Sequence, residues 1–337
     1  MRRVICFVAL ALATVVVLAG PAAACGGLVG ENGTIQLTRT TTLAAYHDGV
    51  ERYVTSFEFS GTGESVGSIV PLPGIPTEVE RAGDWTLQRL EREIAPPVPR
   101  AAFAEDALAA GSAVVLQETQ VDALDITILR GGGDEVGKWA IDHGFLLTPD
   151  APDVLDFYSH RSKIFMAARF DAARAAALGQ QSGDGTPIML TIPTAEPWVP
   201  LRILSLGLDA AQVVDADVFL LTDERPIVLA ADSGVDVGRS EPASTSLLDD
   251  LRSDTHMGWV PDSMWLTYYD VNTPAGELDH DLAVSTHVGT MPSARMAGFS
   301  VPASSDDGRT WFLPVLLVVA PFVVVVGGRR FVRRRAS

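Results

Sequence analysis

Glu277, Asp279, His280, Asp281 and His287 form the densest cluster of chemically capable side chains in the sequence. Carboxylates and imidazoles are the ligands a divalent metal takes. In an extended chain Asp279 and Asp281 share one face and His280 takes the other. The run 282–286, between His280 and His287, reads as a strand. At about 3.3 Å per residue a strand carries the two imidazoles apart. The spacing matches no zinc or calcium site class, so the plainer reading is a solvated acidic turn before a strand.

Other candidates are weaker. Ser182-Gly183-Asp184-Gly185 is a flexible acidic loop without the terminal glutamate of a calcium loop, and it reads as a turn. His143 falls at the end of a helical pattern, where a cation is favourable. Arg202, beside Pro200, can meet an acid across a sheet or extend its guanidinium to water from a strand. Asn32-Gly33-Thr34 has the form of a glycosylation site but reads as a turn into the first strand. The sequence contains no G-x-S-x-G, H-E-x-x-H, phosphate-binding loop or dinucleotide fingerprint. No catalytic residue and no cofactor is assigned. A dispersed triad leaves no trace in sequence, because triads are defined by geometry.

Both chain ends carry address signals. Arg2 and Arg3 precede an apolar run over 4–19, followed by Ala22-Ala23-Ala24. A basic start, an apolar middle and a small-residue cleavage site make residues 1–24 a signal peptide. Cleavage there leaves Cys25 first. Lipid attachment at Cys25 is one outcome. Ala22 stands where a lipoprotein signal has leucine, so plain cleavage is the favoured one. Cys6 leaves with the signal, and a disulfide needs two cysteines.

Residues 311–328 are uncharged and are followed by Arg329, Arg330, Arg333, Arg334 and Arg335. Eighteen residues at about 1.5 Å each span about 27 Å, close to the hydrocarbon core. This predicts a transmembrane helix at 311–328 with a basic cytoplasmic tail at 329–337. The segment between the two signals is then extracytoplasmic, and the protein is a single-pass protein of the cell membrane.

Charge is uneven. Of 25 basic residues, seven are Arg2, Arg3 and the tail arginines; the remaining 18 face 42 acids, a formal charge of −24 for the middle segment. Such a surface attracts cations and argues against nucleic acid as a partner. Only Lys138 and Lys163 are lysines, a bias typical of GC-rich bacterial codon usage.

The elements that must position these residues are mostly strands. Residues 34–46 and 50–59 flank His47-Asp48-Gly49, a hairpin signal. A strand over 66–72 is closed by Pro71, Pro73 and Pro76. Asp84 is expected to cap a helix carrying Leu87, Leu90 and Ile94, ending before the stiff Pro96-Pro97 connector. Strands over 114–118 and 124–129 precede a helix capped by Asp134, and a further helix opens at Pro152. Strands are expected over 163–170, 188–192, 201–206, 213–221, 227–229, 264–269 and 282–286. This is an α+β pattern, mostly antiparallel with a few short helices, forming one β-rich domain over 25–288. Residues 289–310 turn small and polar and read as a linker.

Several short stretches, in order, resemble the domain-of-unknown-function 2330 family. They are Ala24-Cys25-Gly26-Gly27, Ile69-Val70-Pro71-Leu72-Pro73-Gly74-Ile75-Pro76, and Leu124-Asp125-Ile126-Thr127-Ile128-Leu129. Trp139, Gly144-Phe145, Tyr158, Phe165, Ala168 and Pro200-Leu201-Arg202 follow. The resemblance implies a bacterial secreted or membrane-anchored protein and brings no assigned activity. Family members often carry a second cysteine soon after the first, where this chain has Val29 and Gly30.

The sequence therefore favours a membrane-tethered extracytoplasmic domain acting as a non-enzymatic binding or interaction module. Its partners would be the bilayer, through the C-terminal helix, and an unidentified extracytoplasmic ligand or protein. An extracytoplasmic hydrolase, metal-assisted through the acidic cluster, is the alternative.

Overall fold

The structure, a computed structural model, describes residues 27–30, 36–60, 66–94, 114–180, 186–229, 234–285, 287 and 289–299. Residues 1–24, expected from the sequence to be a signal peptide, lie outside these residues, as do Cys25, Asn32, residues 96–99, 182–185, 311–328 and 329–337. Among the described residues no helix is long and apolar enough to cross a membrane.

Three sheets organise the chain. The largest has seven strands, ordered β13-β14-β11-β2-β3-β9-β5. These are β2 (Gln36–His47), β3 (Val50–Ser60), β5 (Glu78–Arg81), β9 (Ile188–Pro193), β11 (Val213–Thr222), β13 (Val235–Pro242) and β14 (Trp265–Pro274). Pairing is antiparallel except between β11 and β2, which run parallel with Ala216 opposite Thr40. The β2–β3 hairpin turns at Asp48 and Gly49, whose φ values of 50° and 77° fit the primed turn that Asp-Gly favours.

A second sheet is ordered β1-β4-β8-β7-β6, made of β1 (Gly27–Gly30), β4 (Val66–Leu72), β6 (Val114–Val121), β7 (Leu124–Arg130) and β8 (Ile164–Phe170). The third is small: β10 (Trp198–Val199), β15 (Leu282–Val284) and β12 (Val228–Leu229), in that order.

Alternation along the central strands assigns their faces. Leu43, Ala45, Val54, Met189, Phe219 and Leu221 pack with Leu87 and Leu90 of α1 (Thr86–Ile94) and with Leu247, Leu248 and Leu251 of α5 (Thr245–Ser253). Their neighbours Ala44, Tyr53, Leu190, Val218 and Leu220 belong to the larger core, shared with the five-stranded sheet. That core also takes in α2 (Gly133–Asp142) and α3 (Ala151–Ser159). A short α4 spans Ala172–Leu178. The fold is α+β and predominantly antiparallel, as the pattern of elements implies.

Three local expectations are corrected. The run 201–206 is not a strand; Arg202–Ser205 form a 3₁₀ turn. At α1 the capping carboxylate comes from Asp254, which accepts from the Trp85 N–H and the Thr86 hydroxyl at 3.2 and 2.7 Å, while Asp84 pairs with Arg81. A Cβ at Gly83 would lie 2.1 Å from the Asp254 carboxyl carbon, so glycine is what lets that acid approach. At α2 the N-cap is Gly132, whose N–H donates to the Glu135 side chain at 2.7 Å; Asp134 sits inside the first turn.

Candidate functional site

The five residues of the acidic cluster do not converge. Glu277 is exposed and ends the 3₁₀ turn Ala275–Glu277. Asp279 is exposed and hydrogen-bonds His280, whose ring stacks on Phe299 with centroids 3.9 Å apart. His287 is exposed. Asp281 points the other way and is fully buried. Among the described residues no group of three or more His, Cys, Asp or Glu side chains is arranged to hold a metal ion.

Asp281 is the centre of a different construction. One carboxyl oxygen, Oδ1, accepts from the Tyr158 hydroxyl at 2.9 Å and from the backbone N–H groups of Leu201 and Arg202 at 2.7 and 2.9 Å. The other, Oδ2, accepts from Arg161 Nη2 at 2.6 Å. Arg161 also donates from Nη1 to the Met296 carbonyl at 2.6 Å. The Tyr158 hydroxyl accepts in turn from the Ile203 N–H at 2.8 Å. Burial, reinforced by the Asp281 charge, pushes the Tyr158 phenol well above its usual range, so it stays a donor.

Aromatic rings wall this pair off from water. The Arg161 guanidinium lies 4.1 Å from the Phe157 ring, 4.6 Å from Tyr158 and 4.9 Å from Trp198. These are cation–π distances, which matter more once the cation is desolvated. Tyr158 and Trp198 stack at 5.7 Å. Among the described residues Arg202 pairs with no acid; its guanidinium lies over Phe157 at 4.2 Å. Met296 and Ala297 are buried, and the Asp281 N–H donates to the Ala297 carbonyl, so the chain stays packed on the domain beyond residue 288.

A second buried carboxyl stands apart. Glu51 on β3 is fully buried, and neither of its oxygens makes a hydrogen bond of normal geometry. Burial pushes its carboxyl up to about 8, with the Trp198 backbone N–H opposing part of that rise. Tyr46, opposite it on β2, is pushed up by burial and then by the Glu51 charge.

His143 stands at the C-terminal end of α2, as its position suggested, but not as a cation. It is buried, stacks on Trp139 at 4.0 Å and shares a 2.8 Å hydrogen bond with the Trp139 carbonyl through Nδ1. Burial, then the Arg169 charge, lowers its imidazole to about 4, which keeps it neutral.

Arg161, Trp198 and Glu51 carry no motif. Glu51 had one legible signal: it shares strand parity with Tyr53 and Thr55, both buried, and so had to point inward.

A family model described as "Uncharacterized protein conserved in bacteria (DUF2330)" matches residues 19–244. The chain belongs to that family. A comparison with curated proteins finds no match. Among solved structures, the chain is similar to the crystal structure of baculovirus P35. Identity is 9%, coverage is 76% of this chain and 92% of that one, and the TM-score is 0.37. A mutated baculovirus P35 after caspase cleavage gives the same identity and TM-score, with 74% and 94% covered. At that TM-score the likeness carries no conclusion.

Proposed function

We propose that this chain is an extracytoplasmic interaction domain tethered to the bacterial membrane by the apolar run at 311–328. The observation that carries the interaction reading is the state of Asp281. The one buried acid of the chemical cluster spends its oxygens on Arg161, Tyr158 and two backbone N–H groups. A carboxylate so engaged is a structural staple with little capacity left for a metal or a substrate proton. What the domain offers outward is an acidic surface, complementary to a cationic or basic partner.

The tethering rests on charge and hydropathy. The apolar run ends in arginines that stay in the cytoplasm, and the basic–apolar start with its Ala22-Ala23-Ala24 site sends the domain across. Cys25 begins the mature chain, unacylated. Protease added to intact spheroplasts should remove the acidic domain and leave a short membrane-embedded fragment. Cleavage that occurs only after lysis overturns the orientation.

A further inference from the structure

Residues 194–199 form a strap across the tip of the β2–β3 hairpin. The Thr194 N–H donates to the Gly49 carbonyl at 3.1 Å, and the Tyr46 hydroxyl donates to the Thr194 carbonyl at 3.0 Å. At its other end the Val284 N–H donates to the Pro197 carbonyl at 3.0 Å, and Trp198 and Val199 pair with Ala283 and Leu282. Trp198 is fully buried: its backbone N–H faces the Glu51 carboxyl, and its ring lies against Tyr158 and Arg161.

We propose that Glu51 is a proton-operated latch: with its carboxyl protonated the strap seats Trp198 on the sheet, and loss of that proton to solvent base unseats it.

The reason is local. An ionised carboxylate removed from water is costly unless a cation or a full set of donors meets it. Glu51 has neither. Its strand neighbours across the sheet are Tyr46 and Ile192. Arg52 follows it in the strand and so takes the opposite face, where it lies 4.3 Å from Trp259. The ionisable groups around it are Tyr46; Asp223, whose charge acts on Tyr46; and Tyr158, Arg161 and Asp281 beyond Trp198. Arg161 is already committed to Asp281. Burial raises the Glu51 carboxyl, and the Trp198 N–H opposes part of that rise. When ionised, it recovers solvation by admitting water at the nearest movable boundary. β10 is only two residues long and is paired on one side alone, whereas β3 is held by both β2 and β9. The strap therefore gives way before the sheet does.

The test is a reversible titration of the full-length protein, following tryptophan emission from about pH 6 to about pH 10, where lysines stay largely charged. Wild type should change emission with a midpoint near 8. Trp198→Phe should lose the signal, and Glu51→Gln should be flat. A wild type that is flat, or a Glu51→Gln variant that keeps the wild-type transition, overturns the latch. Should Glu51→Gln fail to fold, carboxyl-carbon NMR of wild type reads Glu51 directly. A midpoint near 8 that coincides with the emission change supports the latch, and one in the ordinary carboxylate range refutes it.

Discussion

Glu51 and His143 bias the pH dependence of stability in opposite directions. Glu51 is raised to about 8 in the folded chain from 4.5. Between those values the folded state keeps a proton that the unfolded state has lost. The stability contributed is fully present below 4.5 and is lost as pH rises to about 8, with a slope of about 1.4 kcal/mol per pH unit at most. His143 is lowered to about 4 from 6.5, so its contribution is present above 6.5 and lost as pH falls to about 4. The two slopes oppose each other between 4.5 and 6.5, leaving the Glu51 decline unmasked from 6.5 to about 8. Denaturant midpoints measured across that interval should fall in wild type and level off in Glu51→Gln. An equal decline in both proteins would show that another group titrates there.

Asp281 acts at the scale of elements. It joins the end of α3 to the 3₁₀ turn and, with Arg161, to the Met296 carbonyl. This explains why 201–206 does not extend as a strand. The Leu201 and Arg202 N–H groups go to Asp281 and the Ile203 N–H goes to Tyr158, so none is left for a sheet neighbour. Local apolar content favoured a strand, and a carboxylate eighty residues away in sequence decided otherwise. Asp281→Ala would leave Arg161 buried without its counter-charge and strip partners from two backbone donors. The expected loss is about 3–5 kcal/mol, the range for breaking a buried pair from one side. Asp279→Ala, two residues away but exposed, should stay within about 0.5 kcal/mol of wild type. Urea unfolding of both variants checks the contrast, and comparable losses would mean that Asp281 is not the organising group.

Across the whole molecule the excess of 42 acids over 25 basic residues sets a self-repulsion that pairwise contacts do not cancel. Most ion pairs among the described residues have at least one partner substantially exposed, such as Arg252–Asp262 and Arg295–Glu196, and exposed pairs contribute little. Screening therefore relieves more repulsion than it removes attraction. Raising salt from about 0.01 M to about 0.15 M shortens the Debye length from about 30 Å to about 8 Å and should raise the thermal midpoint. A midpoint that falls with added salt would place the net weight on the ion pairs instead.

Sequence alone determined what depends on neighbours along the chain. The Asp48-Gly49 hairpin, the strand at Val66–Leu72, the helix opened by Pro152 and the predominance of antiparallel pairing are fixed by turn chemistry, proline placement and period-two alternation. β13, edge-bound with little apolar patterning, and α5, cored by Leu247, Leu248 and Leu251, had weaker local signals and emerge only in the fold. Only the tertiary structure decided the parallel β11–β2 pairing, the capping of α1 by Asp254 and the fate of the acidic cluster. Asp279 and Asp281 are the same residue type two positions apart; one lies in water and the other against Arg161. That difference is set by which distant side chains surround each carboxylate, because the cost of a charge depends on its surroundings and not on its sequence neighbours.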